Sequence, residues 1–265
     1  MRVTDLGRVL FALSLAALGG LTLFLPGFGH AWAMVPKWIP AHDAVAMASA
    51  AILLAGSIAL LVPRTSRPAA LVLAVLLLVR LVLLHARPVI AHPLVVGTWE
   101  EFGESLVFVA GAWTIFSLLA QHEKRADFGN VRVGQILFAL ATLPFGLAHF
   151  VYLDMTAPLI PSWLPFHVQL AYFTGAAWIA GGLSILSGVL ARLAATLTAI
   201  MVSLFTILVW VPVVIVKPAD PGNLSEICVS AAITGAAWVV AGSFRGRLWH
   251  VVQGRSVNPI GLAES

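Results

Sequence analysis

Two sets of residues in this 265-residue sequence combine types and spacing suited to chemistry. Trp38, His42 and Glu101 form one set, and Trp163, His167 and Glu226 the other, each member lying 125 positions beyond its counterpart. Histidine titrates near neutrality, ligates metals and can exchange protons with a head group such as a quinone's. A carboxylate within about 4–6 Å of it favours the imidazolium. Each set is therefore a candidate ligand pocket, with His149 and Tyr172 adding to the second. The same residues also suit structural roles, since acids near a helix start complement its dipole and a histidine there can bond free backbone groups. Arg80 and Glu104 make a third constellation, because both fall inside long apolar runs. Ionisable groups are costly in lipid and usually pair. Counted from Arg87 and Trp99 at 1.5 Å per residue, the two lie at similar depths, about 7–10 Å below one surface. A structural ion pair is expected, with a substrate anion site as the other reading.

Other chemistries find no footing. Cys228 is the single cysteine, so the chain has no internal disulfide, Cys-x-x-Cys pair or thiolate metal cluster. No His pair has helical zinc spacing, and no Ser-His-Asp context, phosphate loop or nucleotide fingerprint occurs. No metal site is expected. The net charge of +4 comes without a basic, base-reading cluster, which argues against nucleic acid.

The elements that must position the candidate residues follow from composition. Mean hydropathy is +1.00, with 60% hydrophobic and 10% charged residues, which excludes an ordinary soluble domain. Apolar runs of the length that crosses a ~30 Å hydrocarbon core predict eight helices, over 7–25, 42–62, 68–87, 100–119, 133–153, 167–187, 192–214 and 224–243. A signal peptide over the first 33 residues, ending Ala31-Trp32-Ala33, is rejected because the stretch from Gly7 has a counterpart inside the chain. Pro36-Lys37-Trp38-Ile39-Pro40 and Pro161-Ser162-Trp163-Leu164-Pro165 are Trp-Pro clamps, each followed by an apolar run. Proline forbids helix through the clamp, and Trp prefers the membrane interface.

The clamps belong to a longer self-similarity. Gly7-Arg-Val-Leu-Phe-Ala-Leu13 faces Gly134-Gln-Ile-Leu-Phe-Ala-Leu140, and Ala55-Gly56, Arg67 and Trp113 match Ala180-Gly181, Arg192 and Trp238. Matches in one order over a hundred residues indicate a tandem duplication. The expected fold is all-α and integral to the membrane, with eight transmembrane helices as two parallel-repeat four-helix bundles. Residues 1–120 form the first repeat, 121–132 a cytoplasmic linker, 133–244 the second repeat and 245–265 a cytoplasmic tail. Eleven Lys and Arg residues fall in loops on one side against Lys37, Arg87 and Lys217 on the other, so both termini are expected in the cytoplasm and the clamps outside. Glycine pairs such as Gly19-Gly20 and Gly181-Gly182 suit close helix packing in lipid.

Leu147-Ala-His-Phe150, the Pro161–Pro165 clamp, Tyr172-Phe-Thr-Gly175 and Gly181-Gly-Leu183 together resemble the DoxX family of small bacterial membrane proteins. The resemblance covers the second half well and the first through the internal repeat. Trp178 stands where members of that family often have an acid. The resemblance implies a four-helix unit, a bacterial inner membrane, and a link to thiosulfate:quinone oxidoreduction and membrane redox complexes. The leading expectation is an accessory or scaffold protein binding a lipid or quinone between its halves. A membrane subunit of a quinone-linked oxidoreductase, with a partner supplying the redox centre, is the alternative. A small-solute transporter is the third, although the sequence has no obvious broken helix. The second half is expected to be the better ligand site.

Overall fold

A computed structural model describes residues 3–25, 28, 35–36, 38–122 and 129–246. His30, Trp32, Lys37, Lys124, Arg125 and most of the expected tail lie outside the described residues. Those that are described form an all-helical protein with eight helices long and apolar enough to cross a membrane. They are α1 (Val3–Phe24), α2 (His42–Leu61), α3 (Ser66–Ala91), α4 (Val96–His122), α5 (Val131–Val151), α6 (His167–Ser187), α7 (Ala191–Val216) and α8 (Pro221–Ser243). Eight crossings leave the start of α1 and the end of α8 on one side, and both clamps on the other.

Local chemistry sets the helix ends. The Asn130 side chain accepts the Arg132 N–H at 2.8 Å and starts α5. Asp220 does the same for Asn223 at 2.8 Å, with Pro221 in the first turn of α8. Both are N-caps that satisfy a donor the helix leaves open. Gly188, at φ 79°, takes the left-handed conformation that stops α6.

The third and seventh helices are not uniform. In α3 the α-helical stretch Ser66–Arg80 passes into a π-helical segment, Leu81–Ala86, before resuming at Arg87 with Pro88 in its first turn. In α7 the stretch Ala191–Phe205 passes into a π segment, Thr206–Trp210, and resumes at Val211 with Pro212. Restarting at a proline keeps the helix apolar and continuous to Ala91 and Val216. Both therefore outrun the ends expected at 87 and 214.

The two broadest helix interfaces cross between the halves. The broadest interface joins α1 to α8, and one nearly as broad joins α5 to α4. Within the halves α1 packs on α2, α2 on α3 and α3 on α4, while α5 packs on α6, α6 on α7 and α7 on α8. Helices α4 and α8 also pack on each other. The result is two five-helix rings, α1-α2-α3-α4-α8 and α5-α6-α7-α8-α4, sharing the α4–α8 edge. In place of two self-contained bundles, each ring borrows a helix from the other half. The shared helices are central: 67% of the span window is buried in α4 and in α8, against 11% in α7.

Small residues admit the close crossings, as expected where lipid removes any hydrophobic drive between helices. A Cβ on Gly7 would lie 2.9 Å from Trp238 Cβ of α8, and one on Gly134 3.1 Å from the Ala110 carbonyl of α4. A Cβ on Gly19 would meet Leu54 N of α2 at 2.8 Å, and one on Gly146 the Gly175 carbonyl of α6 at 2.6 Å. Phe11 and Phe138, in the matched heptapeptides, are both fully buried.

Candidate functional site

The two clamps fold alike. Ile39 N–H donates to the Pro36 carbonyl at 3.0 Å, and Leu164 N–H to that of Pro161 at 2.9 Å. Ala41 (φ 52°) and Phe166 (φ 61°) are both left-handed, a conformation that costs a non-glycine residue roughly 1–2 kcal/mol. Each turns the chain sharply so that the next residue, His42 or His167, begins a helix.

The histidines then act locally. His167 Nε2 lies 3.2 Å from the Pro161 carbonyl of its own clamp, and His42 Nε2 lies 3.3 Å from Asp43 Oδ1. Trp38 is exposed, with the Arg87 guanidinium 5.9 Å from its ring centroid. Trp163 is exposed too. Among the described residues no hydrogen bond or ion pair joins His42 to Glu101 or His167 to Glu226. The electrostatic neighbours of Glu226 include Glu100 and Glu104 on α4, in the other half.

Around α6 and α7, His149 and Tyr172 lie among aromatic side chains. His149 Nδ1 lies 2.7 Å from the Phe145 carbonyl, and its ring stacks on Phe205 at 6.2 Å. Phe145 meets Trp178 edge-on at 5.2 Å, and Trp178 in turn meets Phe205. Tyr172 stacks on Phe150 at 5.6 Å. Between α7 and α8, Thr206 Oγ1 lies 2.7 Å from Ser230 Oγ and 2.9 Å from Thr234 Oγ1.

The other ring holds a cavity. It measures ≈ 50 Å³ and is lined by Leu77, Arg80 and His85 of α3 and by Glu104, Ser105 and Phe108 of α4. About 10–15 Å³ accommodates one water by this measure, so roughly three to five fit. Arg80 and Glu104, expected to pair, both line it. The Arg80 Nη1 donates to Ser49 Oγ of α2 at 3.2 Å, which ties a third helix to the site. The Glu104 carboxylate makes no hydrogen bond among the described residues. Positions 125 later are Val202, Phe205, Trp210, Val229, Ser230 and Ile233. Every ionisable lining residue therefore has an apolar or aromatic counterpart in the second half.

His85 escaped the sequence reading for a geometric reason. It lies five residues after Arg80, and in an α-helix residues five apart point about 140° apart. The π segment begins after Arg80 and includes His85, and its i→i+5 bonding brings such residues back to nearly one side. The proline at 88 was the available signal. Ser49 and Ser105 are single serines in apolar runs and carried no signal.

Fold and site define a multi-pass membrane protein with a polar cavity set among apolar helices. Among the described residues no three His, Cys, Asp or Glu side chains converge as a metal site. Comparisons with known protein families, with curated proteins and with solved structures give no match.

Proposed function

We propose that this chain is a DoxX-like accessory protein of a bacterial inner membrane, which holds an amphiphile, a lipid or a quinone, by its head group in the Arg80–Glu104 cavity. The observation that carries this reading is the gathering of Arg80, His85, Glu104 and Ser105 around one cavity within apolar helices. Ionisable side chains in a membrane interior are expensive to keep there and mark ligand or ion pathways. Both termini are cytoplasmic in this reading, so the cavity opens toward the outer leaflet. The chain arose by duplication, and its halves then diverged: one ring kept a polar hollow while the other filled with aromatic side chains. The ligand site belongs to the first half, with α8 of the second half completing its ring. In the quinone-linked alternative the same cavity receives the head group and a partner subunit supplies the electrons.

The π segments and prolines of α3 and α7 favour a second reading, small-solute transport, since interrupted helices often flank transport sites. Mass spectrometry of small molecules retained by the purified protein tests the main proposal. An amphiphile at near one per chain is expected, and its loss in Arg80→Leu/Glu104→Leu. A protein that retains none in any detergent overturns it, and solute flux in proteoliposomes would establish the transporter.

A further inference from the structure

We propose that Glu101, Glu100, Glu226 and Glu104 form a path along which the first-half cavity exchanges protons with the clamp side of the membrane. This goes beyond the amphiphile reading, because it concerns what reaches the cavity along the α4–α8 seam rather than what occupies it. Glu101 of α4 and Glu226 of α8 are exposed, and Glu100 is half-buried. Glu104 follows Glu100 by four residues and Glu101 by three, so the three share one face of α4. The step from Glu100 to Glu104 is about 6 Å along the helix axis, the reach of one bridging water. Helix α8 packs on α4, and Glu226, Glu100 and Glu101 are all electrostatic neighbours of Glu104. Glu104 itself lines the cavity beside Ser105, opposite Arg80 and His85 of α3. Its carboxyl makes no hydrogen bond among the described residues.

Ordinary structural roles leave these acids unexplained. The pull of a helix dipole on an acid fades beyond the first turn, and the first turns of α4 and α8 contain no acid. Those helix starts have other partners: Asp220 accepts from Asn223 N–H, and the Tyr152 hydroxyl of α5 accepts from Gly97 N–H at 3.0 Å. Among the described residues no three acids or histidines converge as a metal site. The carboxyls form a row instead.

A row of carboxyls in an apolar seam cannot carry a full set of negative charges, since like charges repel and charge is costly within the membrane. Protons held in common reduce that repulsion. Such a proton belongs to the coupled group rather than to one residue, which is the condition for passing it between neighbours. Room for three to five waters in the cavity extends the row from Glu104 to His85. The other titratable groups on the surrounding helices are few. Arg80 and His85 face the cavity from α3, Tyr152 of α5 stands at the mouth of the row, and His149 of α5 is turned to Phe205 of α7. Away from the clamp side the way is closed by buried apolar side chains, Val107, Val109 and Ala110 of α4 and Leu73, Ala74 and Leu77 of α3. Exchange is therefore one-sided.

The test is modification of the full chain by dicyclohexylcarbodiimide, an apolar reagent that adds to protonated carboxyls. Membrane vesicles of both orientations are used, with the interior buffered, and peptide mass spectrometry reads the adducts at Glu100, Glu104 and Glu226. Lowering the external pH by about one unit should raise the Glu104 adduct several-fold, toward the tenfold that one pKa unit represents, in vesicles that expose the clamp side. Inverted vesicles should show no change. Glu100→Gln removes a like charge beside Glu104 and should lower the Glu104 adduct several-fold at fixed pH, an effect that a purely structural Glu100 would not produce. An adduct at Glu104 that answers to pH on both sides or on neither overturns the path, as does its absence at every pH. Protection by sodium or calcium ions at constant pH assigns the row to a metal cation and overturns it too. Retention of an amphiphile is read separately, so either reading can fail alone. The wild-type sidedness decides even if the variant fails to fold.

Discussion

Replacing Arg80 and Glu104 singly and together with leucine measures how the two charges of the cavity depend on each other. Taking the two groups at about 6 Å, the span of one bridging water, an effective dielectric of about 20 would give an attraction of about 3 kcal/mol. Water in the cavity screens part of this, so the expected coupling is about 1–3 kcal/mol. Each single change removes the opposite charge from the cavity wall. Arg80 keeps Ser49 as an acceptor at 3.2 Å, and the cavity has room for water at either residue, so each single loss should fall at about 2–4 kcal/mol, near the lower end for a broken buried pair. The double change removes both desolvation costs and should be milder than the sum of the singles by the coupling energy. Equilibrium unfolding in mixed detergent–SDS micelles gives all four stabilities. Harmless single changes, or a coupling below about 0.3 kcal/mol, the scatter of independent sites, would refute the reasoning.

Three further outcomes are expected. Arg132 donates to the Ile185 and Leu186 carbonyls at 2.8 and 2.6 Å, tying the end of α6 to the start of α5; Arg132→Met should cost about 2–3 kcal/mol, read by the same unfolding titration. Gly146→Leu should destabilise by about 1–3 kcal/mol through overpacking, because even its Cβ would sit 2.6 Å from the Gly175 carbonyl; Gly20→Ala, whose Cβ would meet Leu54 Cδ1 at an ordinary 4.0 Å, should be tolerated by the same measure. Reporter fusions after residues 125 and 265 should both read cytoplasmic, given the eleven-to-three loop bias in Lys and Arg; an external signal at either would overturn this arrangement.

What the sequence determined by itself was the existence of the elements. A run of about 20 apolar residues must bury its backbone polar groups internally once in lipid, and helix is the one single-segment way to do so. The eight spans were therefore legible from composition and length, with end errors of a few residues at α3, α4 and α7. The clamps were legible too, since proline and tryptophan act through local sterics and interfacial preference. So was the glycine at 19, although only as a packing residue without a named partner.

Which helices meet was decided by the tertiary structure. In lipid no hydrophobic force selects one neighbour over another, and the choice falls to shape, such as Gly7 against Trp238 and Gly19 against Leu54. That is why α1 lies on α8 and each ring borrows a helix across the halves. It is also why Glu226 looks toward Glu100 and Glu104, where adjacency within one half had suggested His167. His167 bonds its own clamp because the left-handed turn at Phe166 folds the chain back on itself, a conformation that no residue type announced. The π segment of α3 changed which residues share a face and placed His85 with Arg80. Helical period is a local rule, but departures from it are set by packing around the helix, and the polar cavity depends on one such departure.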